Sequence, residues 1–298
     1  MNSNSSDTAT APIRPQPSPP VLLLCWARSQ PAIAFGGGLL LVLLLIGLVA
    51  PLLPISDPTQ IDLAQKLLPP GSDHWFGTDA LGRDIFAQVL HGARISLLVG
   101  LGVVTLAAGL GVPIGLIAGF NGGWLDNILM RFTDLFLAFP PLLLPIMLVA
   151  MTGPGLENSM LAVAVSWFPW YARIARAAAM GVKSENYIVS ARAFGASNSR
   201  ILWRHVLPNS MTPIIVQVSL DFGYAILTTA ALGFIGLGAT PPTPEWGLMI
   251  SNSRSVFLDY WWTAAFPGLA IFLAVLGANL LGDGLRDRLD PRFEGRTA

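Results

Sequence analysis

Long uncharged apolar runs alternate with short polar connections along this chain. The runs at 32–53, 95–120, 135–156, 211–238 and 261–281 each reach the roughly 18 residues a helix needs to cross hydrocarbon. A shorter run at 159–172 continues through Arg173 and Arg176 to Met180, and arginines near one end of a span can snorkel to the interface. Six spanning helices follow, and the fold class is an all-α membrane protein. Pro140, Pro141 and Pro145 punctuate the third run, and Asp221 is the only charge in the fifth. The sixth opens on Trp261 and Trp262, a residue type that favours the membrane interface.

Composition agrees with a lipid environment. Charged residues make up 11% of the chain and apolar residues 53%, against roughly 25% charged in soluble proteins. The net charge is zero, so no bulk field points to a nucleic-acid partner. A single cysteine, Cys25, excludes an internal disulfide and a Cys-rich metal site. Residues 1–20 are rich in Ser, Thr, Pro and Asn and read as a disordered tail. They lack the basic start of a signal peptide.

Six spans put both termini on one side. The segments on that side carry thirteen Lys and Arg, six of them between Arg173 and Arg204, and those on the other side carry four. The positive-inside rule makes the termini cytoplasmic. The expected organisation is a cytoplasmic tail at 1–31, a first span at 32–53 and an extracytoplasmic loop at 54–94. A core of five further spans follows at 95–283, then a cytoplasmic tail at 284–298. In the second span Gly111, Gly115 and Gly119 form a stripe suited to close helix packing.

No catalytic constellation is visible. A Walker A loop needs Gly-Lys-Ser/Thr, but Lys66 follows Gln65 and Lys183 follows Val182. His74, His91 and His205 are scattered. Asp79 and Asp84 in the outer loop offer oxygen ligands, though turn-capping and pairing with Arg83 explain them more simply. Glu245-Trp246, beside a proline-rich turn, reads either as a surface for a partner or as a structural gate.

The long inside loop, 181–209, is the most informative segment. Ser184 is placed to cap a helix that runs through Phe194 and ends at Gly195. Ser197 or Asn198 is placed to cap a second, which Pro208 stops. Tyr187, Ile188, Ala191 and Phe194 form one apolar stripe. It suits either a groove on another protein or the chain's own helix ends.

The run Tyr187-Ile-Val-Ser-Ala-Arg-Ala-Phe-Gly195, with Leu207-Pro208 ending the loop, resembles the coupling loop of ABC-importer permeases. Val189, Ser190 and His205 depart from that pattern. Four further stretches, Gly77–Asp84, Pro241–Gly247, Phe266–Ile271 and Gly282–Pro291, look like the C-type permease of the dipeptide/oligopeptide/nickel importers. The resemblance implies a type I importer permease fold with a cytoplasmic coupling helix, in a bacterial inner membrane. It also implies a second homologous permease, two cytoplasmic ATPase subunits that bind the ATP, and an extracytoplasmic substrate-binding protein. The chain itself would need no cofactor. Within the family, short peptides are the preferred substrate and glutathione or nickel the alternatives. A self-contained secondary transporter is the rival class, but such proteins place ionisable groups at mid-membrane to couple ions.

Gln217, Asp221, Tyr224 and Thr228 share one face of the fifth span by their 4, 3 and 4 spacing. A carboxylate near mid-membrane costs roughly 2.5–3.5 kcal/mol on insertion scales, so it should face protein or water. The stripe is therefore expected to line a pore, with Asp221 able to attract a cationic group. Pairing of Asp221 with a residue of a partner permease is the alternative.

Overall fold

The computed structural model describes residues 30–289, and every regular element among them is helical. The expected N-terminal tail, Cys25 and residues 290–298 lie outside the described residues.

Helix α1, Pro31–Val49, begins with a proline in its first turn, where the missing N–H is no loss. Phe35, Leu41, Val42 and Leu45 stand exposed along it, as expected of a helix whose surroundings are lipid.

Helix α2 runs Ile85–Asn121, 37 residues, or about 55 Å, well beyond the roughly 30 Å of a hydrocarbon core. It starts ten residues before the apolar run at 95, so the outer segment is shorter than 54–94. The reason is local. Asp84 caps the helix by accepting from the Ala87 amide at 2.8 Å, and Ile85, Ala87, Val89 and Ala93 are buried, carrying the helix past Arg94.

The expected third span, 135–156, is not one helix. Helix α3 occupies Gly123–Leu137 and helix α4 only Leu143–Thr152. Pro140 and Pro141 between them supply no amide hydrogen and break the ladder. Ten residues of α4 extend about 15 Å, half a bilayer core. Helix α5, Leu156–Lys183, has 28 residues and joins the expected fourth span to its charged end. Among the described residues four helical segments, 31–52, 85–121, 211–234 and 262–289, are long and apolar enough by themselves to cross a membrane.

Helices α2 and α5 pack along most of their lengths. A Cβ at Gly111, Gly115 or Gly119 would strike the backbone carbonyls of Phe168, Ala172 and Arg176 respectively. The glycine stripe is thus a backbone-to-backbone seam.

The 184–210 segment differs in detail from its expected layout. Ser184 closes α5, its hydroxyl donating to the Gly181 carbonyl at 2.7 Å, and it does not cap the next helix. Helix α6, Asn186–Ala193, starts after Glu185, and Gly195 turns the chain with φ +81°. Ser197 caps helix α7 (198–209) by accepting from the Arg200 amide at 3.3 Å. Pro208 does not stop α7. A π-helical stretch, Leu202–Val206, precedes it, with the Leu207 amide bonded to the Leu202 carbonyl. This wider register carries the chain past the proline, which has no amide hydrogen to donate.

Helix α8, Met211–Phe234, the short helix α9, Trp246–Asn252, and helix α10, Trp262–Leu289, complete the chain. One core cluster joins α2, α5, α7 and α8 around Val103, Leu116, Tyr171, Ile201 and Val206. A second joins α1, α2, α8, α9 and α10 around Ile85, Trp246, Trp262 and Ile271.

Candidate functional site

The break between α3 and α4 opens a cavity of about 580 Å³ against α5 and α8. That volume falls in the 300–1,000 Å³ range of small-molecule sites. Gln217, Asp221 and Tyr224 of the α8 stripe line it. They come from successive turns of one helix face, and the Gln217 side-chain amide donates to the Asp221 carboxylate at 2.9 Å. Thr228, the fourth member, is buried at 4% exposure and does not line the cavity. It lies where α8 enters the packed interior.

The opposite walls are aromatic. Phe136 and Phe139 approach from α3 and its exit, and Trp167 and Trp170 from α5. Trp167 stacks on Tyr224 with centroids 5.3 Å apart and planes 10° from parallel. Trp170 and Tyr224 are each about half exposed. Tyr171 is fully buried next to Asp221, and its hydroxyl makes no well-formed hydrogen bond. These aromatic residues were absent from the sequence expectation. The signal that could have found them is the Trp167, Trp170 and Tyr171 spacing in α5, which puts all three within one turn.

The cations near this wall are already matched. Arg173 pairs with Asp134 at 2.6 Å, and Arg176 meets Asp126 through two bonds of 2.6 and 2.7 Å. Among the described residues no cation lies within ion-pair distance of Asp221.

The coupling stripe divides. Ile188 is buried at 1% and packs with Ile201, Leu202 and Val206. Its burial is worth roughly 1.5–3 kcal/mol, and ties α6 to α7. Ala191 and Leu207 are half-buried, whereas Tyr187, Gly195 and Pro208 are exposed. Phe194 stands 92% exposed, with Val189 at 61%. Both readings of the stripe therefore apply, to different residues: Ile188 covers the chain's own helices and Phe194 projects from them.

The outer acidic residues serve structure. Asp79 accepts from Arg83 Nε at 2.7 Å and from the Gln88 amide at 3.1 Å. Asp84 caps α2 and contacts His74 at 2.8 Å. Glu245 and Trp246 are 4% and 0% exposed, which removes them from any partner-facing surface. Glu245 caps α9, accepting from the Gly247 and Leu248 amides at 2.9 and 2.8 Å.

Comparison with known proteins adds to this geometry. Residues 111–295 match the family described as binding-protein-dependent transport system inner membrane component. The chain is 46% identical to the probable D,D-dipeptide transport system permease protein of Escherichia coli (strain K12), over 92% of this chain and 93% of that protein. It is 48% identical to the dipeptide transport system permease protein of Alkalihalophilus pseudofirmus, over 84% of this chain and 83% of that protein. Identity to the glutathione transport system permease protein of Pectobacterium atrosepticum is 44%, over 90% and 89% of the two chains. Among solved structures, a chain of the inward-facing MetNI methionine ABC transporter shares the fold. Its TM-score is 0.57 at 16% identity, covering 69% of this chain and 98% of that one.

Proposed function

This chain belongs to the binding-protein-dependent transport system inner membrane components, the permease subunits of ABC importers, and from that premise we propose that it forms half of a translocation path for short peptides. The observation that carries the substrate class is identity of 44–48%, across more than four-fifths of both chains, to permeases named for dipeptides and for glutathione. Both ligands are short peptides. As the membrane subunit it works with separate ATPase subunits and is not itself an enzyme.

The finer arrangement belongs to the same reading. A second, homologous permease closes the open side of the α3–α5–α8 cavity, and an extracytoplasmic binding protein delivers the peptide. Both termini and the 181–209 loop face the cytoplasm, and six membrane crossings result if α3 and α4 together make the third. The basic asymmetry of the sequence supports this orientation. Gln217, Asp221 and Tyr224 line the path. Tyr187, Phe194, Gly195 and Pro208 present the ATPase-facing surface, while Ile188, Ala191 and Leu207 hold that surface in place. ATP bound by the partner subunits drives closure, and α6 and α7 transmit the motion.

Uptake measurements test the substrate. Cells with and without the gene are compared for uptake of labelled alanyl-alanine, glutathione and Ni²⁺. Loss of dipeptide uptake on deletion, restored by the gene, is expected. Loss of Ni²⁺ uptake alone would overturn the peptide reading. Loss of glutathione uptake alone would narrow it to that tripeptide.

A further inference from the structure

Asp221 is a carboxylate without a counter-ion on a wall of aromatic rings. An ionised carboxylate offers about four acceptor sites, and Gln217 fills one. The neighbouring Tyr171 hydroxyl is buried beside the carboxylate without a well-formed bond to it. The two arginines of α5 are engaged elsewhere, by Asp134 and Asp126. Trp167, Trp170, Tyr224 and Phe136 are among the residues lining the cavity, beside aliphatic Leu137, Leu144 and Ile174, and aromatic rings attract cations. An anionic group would meet repulsion there, and an apolar group would leave most of the carboxylate's acceptor sites unfilled. A cation satisfies both walls at once.

We propose that this cavity is a subsite for a cationic group, an alkylammonium or guanidinium, carried by the molecule in transit. Asp221 supplies the charge, Gln217 orients it, and Trp170 and the Trp167–Tyr224 pair receive the apolar stem and the face of the cation. The proposal rests on the cavity being part of the translocation path, and adds to it a preference for positive charge.

Thiol chemistry tests path and preference separately. Phe139 lines the cavity and is 43% exposed. Phe139→Cys is made with Cys25→Ser, and the assembled importer is treated with two methanethiosulfonates, one bearing trimethylammonium and one bearing sulfonate. The rate ratio of cationic to anionic reagent at this subunit is divided by the same ratio for a free thiol in solution. We expect an excess of tenfold or more, falling to within twofold of unity in Asp221→Asn. Trp170→Leu, which keeps the charge, should lower the excess severalfold. Reaction with both reagents at the solution ratio while Asp221 is present would overturn the proposal and leave the path intact. That outcome would indicate a cation from the second permease opposite Asp221. An excess unchanged by Asp221→Asn would also overturn it. No reaction with either reagent would overturn the path reading and the subsite together. The ratio in the Asp221 protein decides the matter even if the asparagine variant does not assemble.

Discussion

Replacing Glu245 separates the need for a hydrogen-bond acceptor from the need for a charge. This carboxylate is 4% exposed and accepts the Gly247 and Leu248 amides at the start of α9, with the Ser96 hydroxyl at 3.4 Å. Burial pushes its carboxyl above the usual range, and the two amides and Ser96 offset part of that rise. The protonated form is thus relatively favoured in the folded state. Its stability contribution is fully present below the unfolded pKa and is lost as pH rises through the raised folded value. Gly247 and Leu248 bond to different carboxylate oxygens, so Glu245→Gln removes the buried charge but keeps an acceptor for only one of the two amides, its NH2 group facing the other. At pH 7 it should lose about 1–2 kcal/mol for the one amide left without an acceptor, less than Glu245→Ala, and its stability should change less between pH 5 and pH 7. Glu245→Ala strands two buried amides, at about 1–3 kcal/mol each when unsatisfied. Loss of an N-cap measured directly is about 0.5–2 kcal/mol. A net loss of about 2–3 kcal/mol lies between these bounds, and corresponds to a fall of roughly 4–12 °C in apparent melting temperature for a chain of this size. The assay is heating of the detergent-purified protein followed by size-exclusion elution of the surviving fraction. Equal destabilisation by Gln and Ala would refute the argument, because it would make the negative charge itself the stabilising element.

Other expectations follow from the fold. Gly115→Ala should lower folded abundance in the membrane, with overpacking of about 1–3 kcal/mol. Gly109→Ala, which meets nothing within 4 Å on the same helix, should be neutral, and equal behaviour of the two would contradict the α2–α5 seam. Phe194→Asp should leave insertion and abundance unchanged, since the side chain touches little of its own subunit, but should abolish transport and co-purification of the ATPase. Normal transport at normal abundance would remove Phe194 from the coupling surface. In a Cys25→Ser background an impermeant thiol reagent on intact cells should label Ser72→Cys and spare Ser197→Cys; the reverse pattern would invert the orientation.

Much of the fold was readable because apolar length and helix-ending residues act locally. The glycine stripe, the Gly195 turn and the Ser197 cap all emerged as the sequence indicates. Besides the Ser184 cap and the Pro208 stop, three features did not, each for a non-local reason. The start of α2 at Ile85 depended on a packed face around Arg94 that no hydropathy average weights. The Pro140-Pro141 pair was visible, but its breaking of the third run was not, because uncharged residues continue on both sides. The role of Ile188 depended on α7 folding back beneath α6, so a four-residue stripe divided into one anchor and one projecting ring. At the cavity, the α8 stripe was legible from spacing alone up to Tyr224. Its limit at Thr228 was set by neighbouring helices, and the aromatic wall required knowing that α5 lies opposite.

The seam between α2 and α5 has a mechanical corollary. Helices whose backbones touch at Gly111, Gly115 and Gly119 have no side-chain layer in which to slide, so the pair moves together along that contact. At 28 residues, α5 is a lever of about 42 Å. Each degree of rotation about one end displaces the other by about 0.7 Å over that length. Its C-terminal end closes at Ser184, directly beside α6, and Trp167 and Trp170 ride near its middle. A push of a few ångströms at α6 therefore moves the aromatic wall by roughly half as much, while Asp221, on a different helix, can stay behind. The width of the cavity is geared to the position of α6 at the end of that lever.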